Sequence, residues 1–300
     1  MTRRLGEDLF ITDGGMETTL IFHQGFDLPD FASFVLLDDP SGTEALRAYY
    51  RTYIEIARAR DVGIMLDTPT WRANTDWGAR LGYTPEALAE ANRQSVRLLE
   101  ELRSPEVLIS GCVGPRGDGY RVEGEMSSEE AERYHGPQVQ TFGETSADLV
   151  SALTLTYANE AIGIVRAARA GGVPVVISFT VETDGRLPSG QSLGEALEQV
   201  DAETDGAAAF FMVNCAHPTH FFGVLEPAPW LERLRGVRAN ASKKSHAELD
   251  EAEELDEGDS AELAAAYVEL QNRLPRLSVV GGCCGTDHRH VEAVCAAVTG

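Results

Sequence analysis

The sequence predicts a (β/α)8 barrel, and three observations carry that expectation. Short apolar runs alternate with longer amphipathic stretches of helical period, the pattern of a parallel sheet covered by helices. Eight strand–helix units divide 300 residues, and the fold needs roughly 250. The alternative, a doubly wound sheet, would place G-x-G-x-x-G after the first strand, where the sequence instead reads Asp13-Gly14-Gly15-Met16-Glu17. No linker or further repeat interrupts the alternation, so residues 1–300 are read as one domain with an acidic insertion at about 243–262.

The predicted strands are Leu9–Thr12, Val62–Leu66, Val107–Ser110, Leu149–Leu153, Val173–Phe179, Ala208–Val213, Gly236–Ala239 (the weakest) and Leu277–Val280. Most are rich in Val, Ile, Leu or Phe and lack polar alternation, as strands buried on both faces do. Gly42–Arg60 is the first long helix. Glu86–Leu102 follows, opened by Thr84 as N-cap with Pro85 at the first helical position. Ser127 and Glu130 stand at capping-box spacing and start the next helix. Asn159–Ala170, Leu193–Thr204, Ser260–Leu274 and Asp287–Val298 fill the remaining slots, with Pro218–Leu234 a less regular crossover. His288 and His290 diverge at the start of the last helix and read as an N-terminal turn rather than a chelate.

Between Lys243 and Glu262 the pattern breaks. Glu248, Asp250, Glu251, Glu253, Glu254, Asp256, Glu257 and Asp259 dominate this stretch. Such a run reads as a solvated surface insertion. Because it follows a strand end, a lid over the barrel mouth is the alternative.

The whole chain is acidic, with 48 Asp and Glu against 25 Lys and Arg and a net charge of −23. A surface this negative repels phosphate backbones and anionic lipid, which argues against nucleic-acid and membrane partners. No apolar run approaches the ~18 residues of a membrane span. The opening Met1-Thr2-Arg3-Arg4 has no apolar stretch behind its arginines. The five cysteines, an odd number with one adjacent pair, do not fit a secreted disulfide framework. A cytoplasmic setting with reduced thiols is therefore expected, and a homo-oligomer stays open.

Polar and glycine-rich signatures follow the strands: Asp13-Gly14-Gly15, Asp67 to Arg72, Gly111 to Gly117, Thr180-Val181-Glu182, Asn214 to Pro218, and Gly281 to Thr286. In a barrel all of them meet at the C-terminal face, where such enzymes place chemistry. Gly281-Gly282-Cys283-Cys284-Gly285-Thr286 is the strongest of these. Glycines let the backbone turn sharply, so a strand that ends there can aim both sulfurs at one point. Cys215, at another strand end, can supply a third thiol. Three thiolates with a fourth position open is the pattern of a catalytic zinc site. A vicinal redox or disulfide pair and buried inert thiols are the alternatives from the residues alone. His217 and His220 are candidate fourth ligands. Cys112 reads as a packing residue, as does Cys295 in its helical stripe with Val291, Val294 and Val298.

These motifs, in this order and over nearly the whole chain, resemble the homocysteine S-methyltransferase family of zinc-dependent barrels. The resemblance rests on Asp13 to Thr18, Thr68-x-Thr70, Val113 to Gly117, Ser178-Phe179-Thr180, Asn214-Cys215-x-His217-Pro218 and Gly281 to Thr286. It implies that Cys215, Cys283 and Cys284 bind zinc. It implies that Asp13 helps hold a substrate amino group and that the Gly14 and Gly15 amides receive its carboxylate. Thr68, Thr70 and Asn214 join them as candidate substrate-binding residues. The implied reaction moves a methyl group from a sulfonium or ammonium donor to a thiol, with homocysteine the leading acceptor and methionine its product. A zinc-bound thiol is deprotonated, and the thiolate is the nucleophile.

Two departures stand out. Leu153 occupies the place where the family's fourth strand carries a Glu that also grips the substrate ammonium. A different thiol or a selenol is therefore the alternative acceptor. The seventh strand ends in Arg238-Ala239-Asn240-Ala241-Ser242, where the family commonly has Pro-Asn, so the donor pocket is expected to differ. No cobalamin- or folate-binding module is read within these 300 residues. A small free donor is expected: S-methylmethionine, S-adenosylmethionine or a betaine-like compound. A non-catalytic zinc-binding barrel and a vicinal-dithiol oxidoreductase are the rivals from other classes.

Overall fold

Eight parallel strands close on themselves in sequence order, β1 to β8, in the computed structural model. It describes residues 3–122, 124–252 and 254–300. The opening Met1-Thr2 and Glu253 of the acidic run lie outside the described residues. The strands are β1 Phe10–Ile11, β2 Gly63–Asp67, β3 Val107–Val113, β4 Leu149–Leu155, β5 Val175–Phe179, β6 Phe211–Asn214, β7 Leu234–Ala239 and β8 Val279–Gly282. Each coincides with an expected apolar run to within a few residues. β1 pairs with both β2 and β8, which closes the barrel and excludes the doubly wound alternative.

The helices also fall close to the predicted spans, the first starting two residues before the expected Gly42. Asp39 accepts the Ser41 and Gly42 amides at 3.0 Å, with Pro40 behind it, and so starts Pro40–Ala59. Thr84 caps Pro85–Glu100 through the Ala87 amide at 3.2 Å. Ser127 and Glu130 form the expected capping box of Ser128–Gly143. Ala158–Gly171, Leu193–Thr204, Ser260–Arg273 and His288–Thr299 complete the long helices. After β6 the connection is irregular, with short turns at Pro218–Phe221 and Pro229–Glu232, as its sequence suggested. Asp287 caps the last helix and His290 reaches back to the Asp287 amide at 3.2 Å, the N-terminal role expected of this segment. No helix among the described residues is long and apolar enough to cross a membrane.

The barrel interior follows the two-residue period of its strands. At the N-terminal end Phe10, Met65, Leu149, Val176, Met212 and Val279 pack into one buried apolar cluster. Two residues further along the same strands stand Asp67, Ser151, Ser178 and Asn214, all buried. The expectation of strands without polar alternation therefore fails at their C-terminal ends. Those inward positions face the site, so polarity there costs no packing against helices. Alternate residues such as Ile64, Val150, Ile177, Val213 and Val280 point outward into the larger core beneath the helices.

Candidate active site

At the C-terminal face the strand ends surround a cavity of about 430 Å3. That volume suits a small-molecule ligand. Cys215, Cys283 and Cys284 line it, with their sulfurs within 4.8 Å of one another. Two backbone features deliver them. Cys215 follows β6 with φ +54, a left-handed conformation uncommon outside glycine and found mainly where function over-determines the backbone. Gly282, at the end of β8, leaves room for the Thr286 hydroxyl, which a Cβ would strike.

The sulfur pair in direct contact is Cys215–Cys283, joined as a disulfide with Cα atoms 5.4 Å apart, not the adjacent Cys283–Cys284. Cys284 is free and accepts the Tyr120 hydroxyl at 3.6 Å. Burial pushes the Cys284 thiol above its ordinary value, partly offset by Tyr120. The donor set fits zinc: three soft sulfurs within reach of one ion, opening onto a cavity rather than closed by a fourth protein ligand. Neither candidate histidine joins them. His217 turns its Nδ1 to Thr219 at 2.7 Å, and burial draws its pKa down to about 4. His220 donates from Nε2 to the Lys243 carbonyl at 2.9 Å. Cys112 and Cys295 are buried away from the cluster, as expected of packing residues, although Cys112 borders the cavity.

Asn214 is the polar hub beneath the thiols. Its Oδ1 accepts the Thr154 amide at 2.8 Å and the Ser178 hydroxyl at 2.6 Å. Its Nδ2 donates to Thr154 Oγ1 at 2.8 Å and faces Cys283 Sγ at 3.9 Å. Thr154 also adopts positive φ, +62, at a register shift between β4 and β5. Thr68 lines the cavity and accepts the Cys112 amide at 2.9 Å. Thr70 does not line it. Its hydroxyl is spent on the Cys112 carbonyl at 2.7 Å, so it supports Thr68 from behind.

Asp13, Gly14 and Gly15 all border the cavity, yet two of them are already engaged. Arg238 donates to Asp13 Oδ1 at 2.5 Å and forms a second ion pair with Asp67. Tyr49 donates to the other Asp13 oxygen at 3.1 Å. The Gly15 amide donates to the Thr286 carbonyl at 2.9 Å, so it is not free for a substrate carboxylate. Burial, with repulsion from Asp67, pushes Asp13 up to about 7 against the pull of Arg238. Burial alone would weaken the Arg238 cation, but Asp13 and Asp67 outweigh it and hold the guanidinium charged.

The acidic segment is exposed along much of its length, as a solvated insertion is, and it also borders the cavity. Leu249, Asp250, Ala252, Leu255 and Asp256 all line the cavity. The segment is tied down at several points. His246 is buried, donates from Nε2 to the Cys215 carbonyl at 2.8 Å and stacks on Tyr120 at 4.1 Å. Ser242 donates to Asp256 at 2.7 Å, and Glu257 pairs with Arg289 at 3.0 Å. Leu249 and Leu255 line the cavity together with Asp250 and Asp256, while Glu248 and Glu251 are exposed, so composition alone reported only the outer face.

Sequence reasoning missed Arg238, Tyr120, Thr154 and His246. Arg238 had a readable signal, since it lies two residues after Gly236 on the inward phase of β7. Tyr120, Thr154 and His246 had none, because their partners are 164, 61 and 31 residues away.

A closed parallel barrel with a thiol cluster and a cavity at its C-terminal face defines a class: barrel enzymes that work on small molecules at the strand ends. The family model for homocysteine S-methyltransferase matches residues 10–298, and the chain belongs to that family. Among similar proteins, the homocysteine S-methyltransferase YbgG of Bacillus subtilis is 23% identical, covering 96% of this chain and 94% of that one. Homocysteine S-methyltransferase 4 of Zea mays is 24% identical, covering 96% and 89%. The homocysteine methyltransferase MmuM of Escherichia coli, solved in a metallated form, superposes with a TM-score of 0.72 at 21% identity, covering 97% and 96%. Its oxidized form gives 0.74.

Proposed function

We propose that this enzyme is a zinc-dependent S-methyltransferase that moves a methyl group from a small sulfonium or ammonium donor to a thiol. The observation that carries the reading is the convergence of Cys215, Cys283 and Cys284 at the mouth of a small cavity. These three residues would hold zinc as thiolates, with the Cys215–Cys283 pair reduced, as in a cytoplasmic setting. When bound, the metal supplies the Lewis acidity that brings an acceptor thiol to its thiolate at neutral pH.

The chain's own residues do the rest. Asn214 fixes the Thr154 backbone and faces Cys283, so the floor under the sulfurs is preorganised. Tyr120 directs a hydroxyl at Cys284. The segment carrying His246, Leu249 and Leu255 covers the cavity and restricts water. In the reaction the acceptor sulfur forms a bond to the methyl carbon as the donor's carbon–sulfur or carbon–nitrogen bond breaks. The donor leaves as a neutral thioether or amine, and the thiol proton goes to solvent. Catalysis on this account is orientation of two small molecules in line.

Homocysteine, giving methionine, is the leading acceptor. Arg238 on Asp13 and Leu153 in the wall favour a second reading, a thiol or selenol without a free ammonium group. A donor-by-acceptor activity matrix on reduced, zinc-loaded protein tests both. Methionine formed from homocysteine supports the first acceptor. Methylation confined to amine-free thiols or selenols supports the second. Full activity without zinc would overturn the metal's role. Failure of every sulfonium and ammonium donor would leave a zinc-binding barrel without this activity.

A further inference from the structure

Arg72 stands apart from the other buried cation of the cavity. Arg238 has two carboxylate partners. Arg72 is only 7% exposed and lines the same cavity, yet no described carboxylate pairs with it. Its Nη1 donates to the Gly117 carbonyl at 3.1 Å. Its Nε is sealed without a partner, and its Nη2 donates to no described residue. A buried charge left without a counterion is costly, so this arrangement needs a reason.

The surroundings hold the guanidinium flat. Its carbon lies 4.0 Å from the Trp71 ring centroid and 3.8 Å from that of Trp77. Trp71 is itself fixed by its indole N–H to the Leu153 carbonyl at 3.3 Å. Ring faces stabilise the cation but leave its in-plane donors unspent. A planar guanidinium with Nη2 unspent is a group that recognises carboxylates.

Asp118, Asp30 and Glu17 act on the cation through space, but none of them forms an ion pair with it. Glu17 accepts the Ser33 hydroxyl at 2.7 Å. Asp118 accepts the Tyr120 amide at 2.7 Å and the Arg121 amide at 3.1 Å. The loop that takes Nη1 at Gly117 runs on to Tyr120, which touches Cys284, so Arg72 and the thiols share one chamber. Burial draws the Arg72 pKa down to about 10, and the group stays charged at neutral pH.

We propose that Arg72 anchors the carboxylate of a ligand whose sulfur or methyl-bearing centre reaches the thiol cluster. The site thus selects carboxylate-bearing small molecules, a role the Gly15 amide cannot fill because it donates to Thr286. The carboxylate belongs to the donor or to the acceptor. The inference rests on the methyl-transfer reading for its kinetic arm only, because Trp71 and Trp77 report binding directly.

The test uses the full chain, reduced and zinc-loaded, and two ligand pairs. The acceptor pair is homocysteine and 3-aminopropane-1-thiol. The donor pair is S-methylmethionine and (3-aminopropyl)dimethylsulfonium. Each pair differs only by the carboxylate. Tryptophan fluorescence gives affinities, and product formation gives KM and kcat. The expected result is a preference of about tenfold to a hundredfold for the carboxylate-bearing member of one pair, the range of a charged hydrogen bond. Arg72→Gln should abolish that preference through affinity and KM while leaving the other pair's ratio unchanged. Arg72→Lys should restore part of it, and it carries the test if Arg72→Gln does not fold. Unchanged ratios in a folded variant would overturn the proposal. So would failure of all four ligands to bind. A carboxylate preference in binding with no methyl transferred would uphold Arg72 and overturn the reaction instead.

Discussion

Arg238 meets Asp13 at 2.5 Å inside the barrel, and the same guanidinium reaches Asp67 on the other side. The cation from β7 therefore bridges the ends of β1 and β2 across the site. It occupies the carboxylate that the family resemblance assigns to a substrate ammonium, and it makes the floor of the cavity a self-contained ion cluster.

Removing one member of such a cluster leaves buried charge uncompensated. Arg238→Met is expected to destabilise the fold by about 3–5 kcal/mol, because Asp13 and Asp67 lose their shared partner. Adding Asp13→Asn and Asp67→Asn to that variant should recover most of the loss. Urea denaturation of the two proteins measures the difference.

The same cluster gives a signed pH dependence. Burial raises Asp13 in the folded protein to about 7, well above the ordinary carboxylate value, so the folded state holds this proton more tightly than the unfolded chain. The associated stability is complete below pH about 4 and is lost as pH rises through about 7. Asp13→Asn should flatten the fall in urea midpoint between those limits. An identical slope in the variant would show that Asp13 does not titrate there.

Leu153 provides a test of acceptor choice. Leu153→Glu places a carboxylate in the cavity wall, and it should raise kcat/KM for homocysteine relative to an amine-free thiol by about tenfold or more, the worth of one charged hydrogen bond. No change in that ratio would show that the ammonium, if bound, is held by another residue.

The thiol cluster predicts metal stoichiometry. Cys284→Ser should lose most of one equivalent of zinc under reducing conditions, while its far-UV circular dichroism matches the parent. Elemental analysis after gel filtration reads the metal. Retention of a full equivalent would place the ion elsewhere.

His246 tests the covering segment. His246→Ala removes the contact to the Cys215 carbonyl and the stack on Tyr120. Local opening should raise KM by about tenfold, with little change in global stability, since lids are drawn from the less stable parts of a fold. Hydrogen exchange at Leu249–Ala252 should quicken in step.

Local chemistry determined much of this protein. Apolar runs placed the eight strands, and caps at Thr84 and Ser127 placed helix starts, because both depend on neighbours in the chain. The glycine-flanked Cys283-Cys284 and the strand-end Cys215 pointed to one site for the same reason, since strand order alone brings strand ends together. Tertiary structure decided what those groups face. Only barrel closure sets Arg238 against Asp13, 225 residues away, and only folding turns the leucines of an acidic run inward over the thiols. Charge pairing and burial depend on distances through space, and spacing along the chain does not encode them.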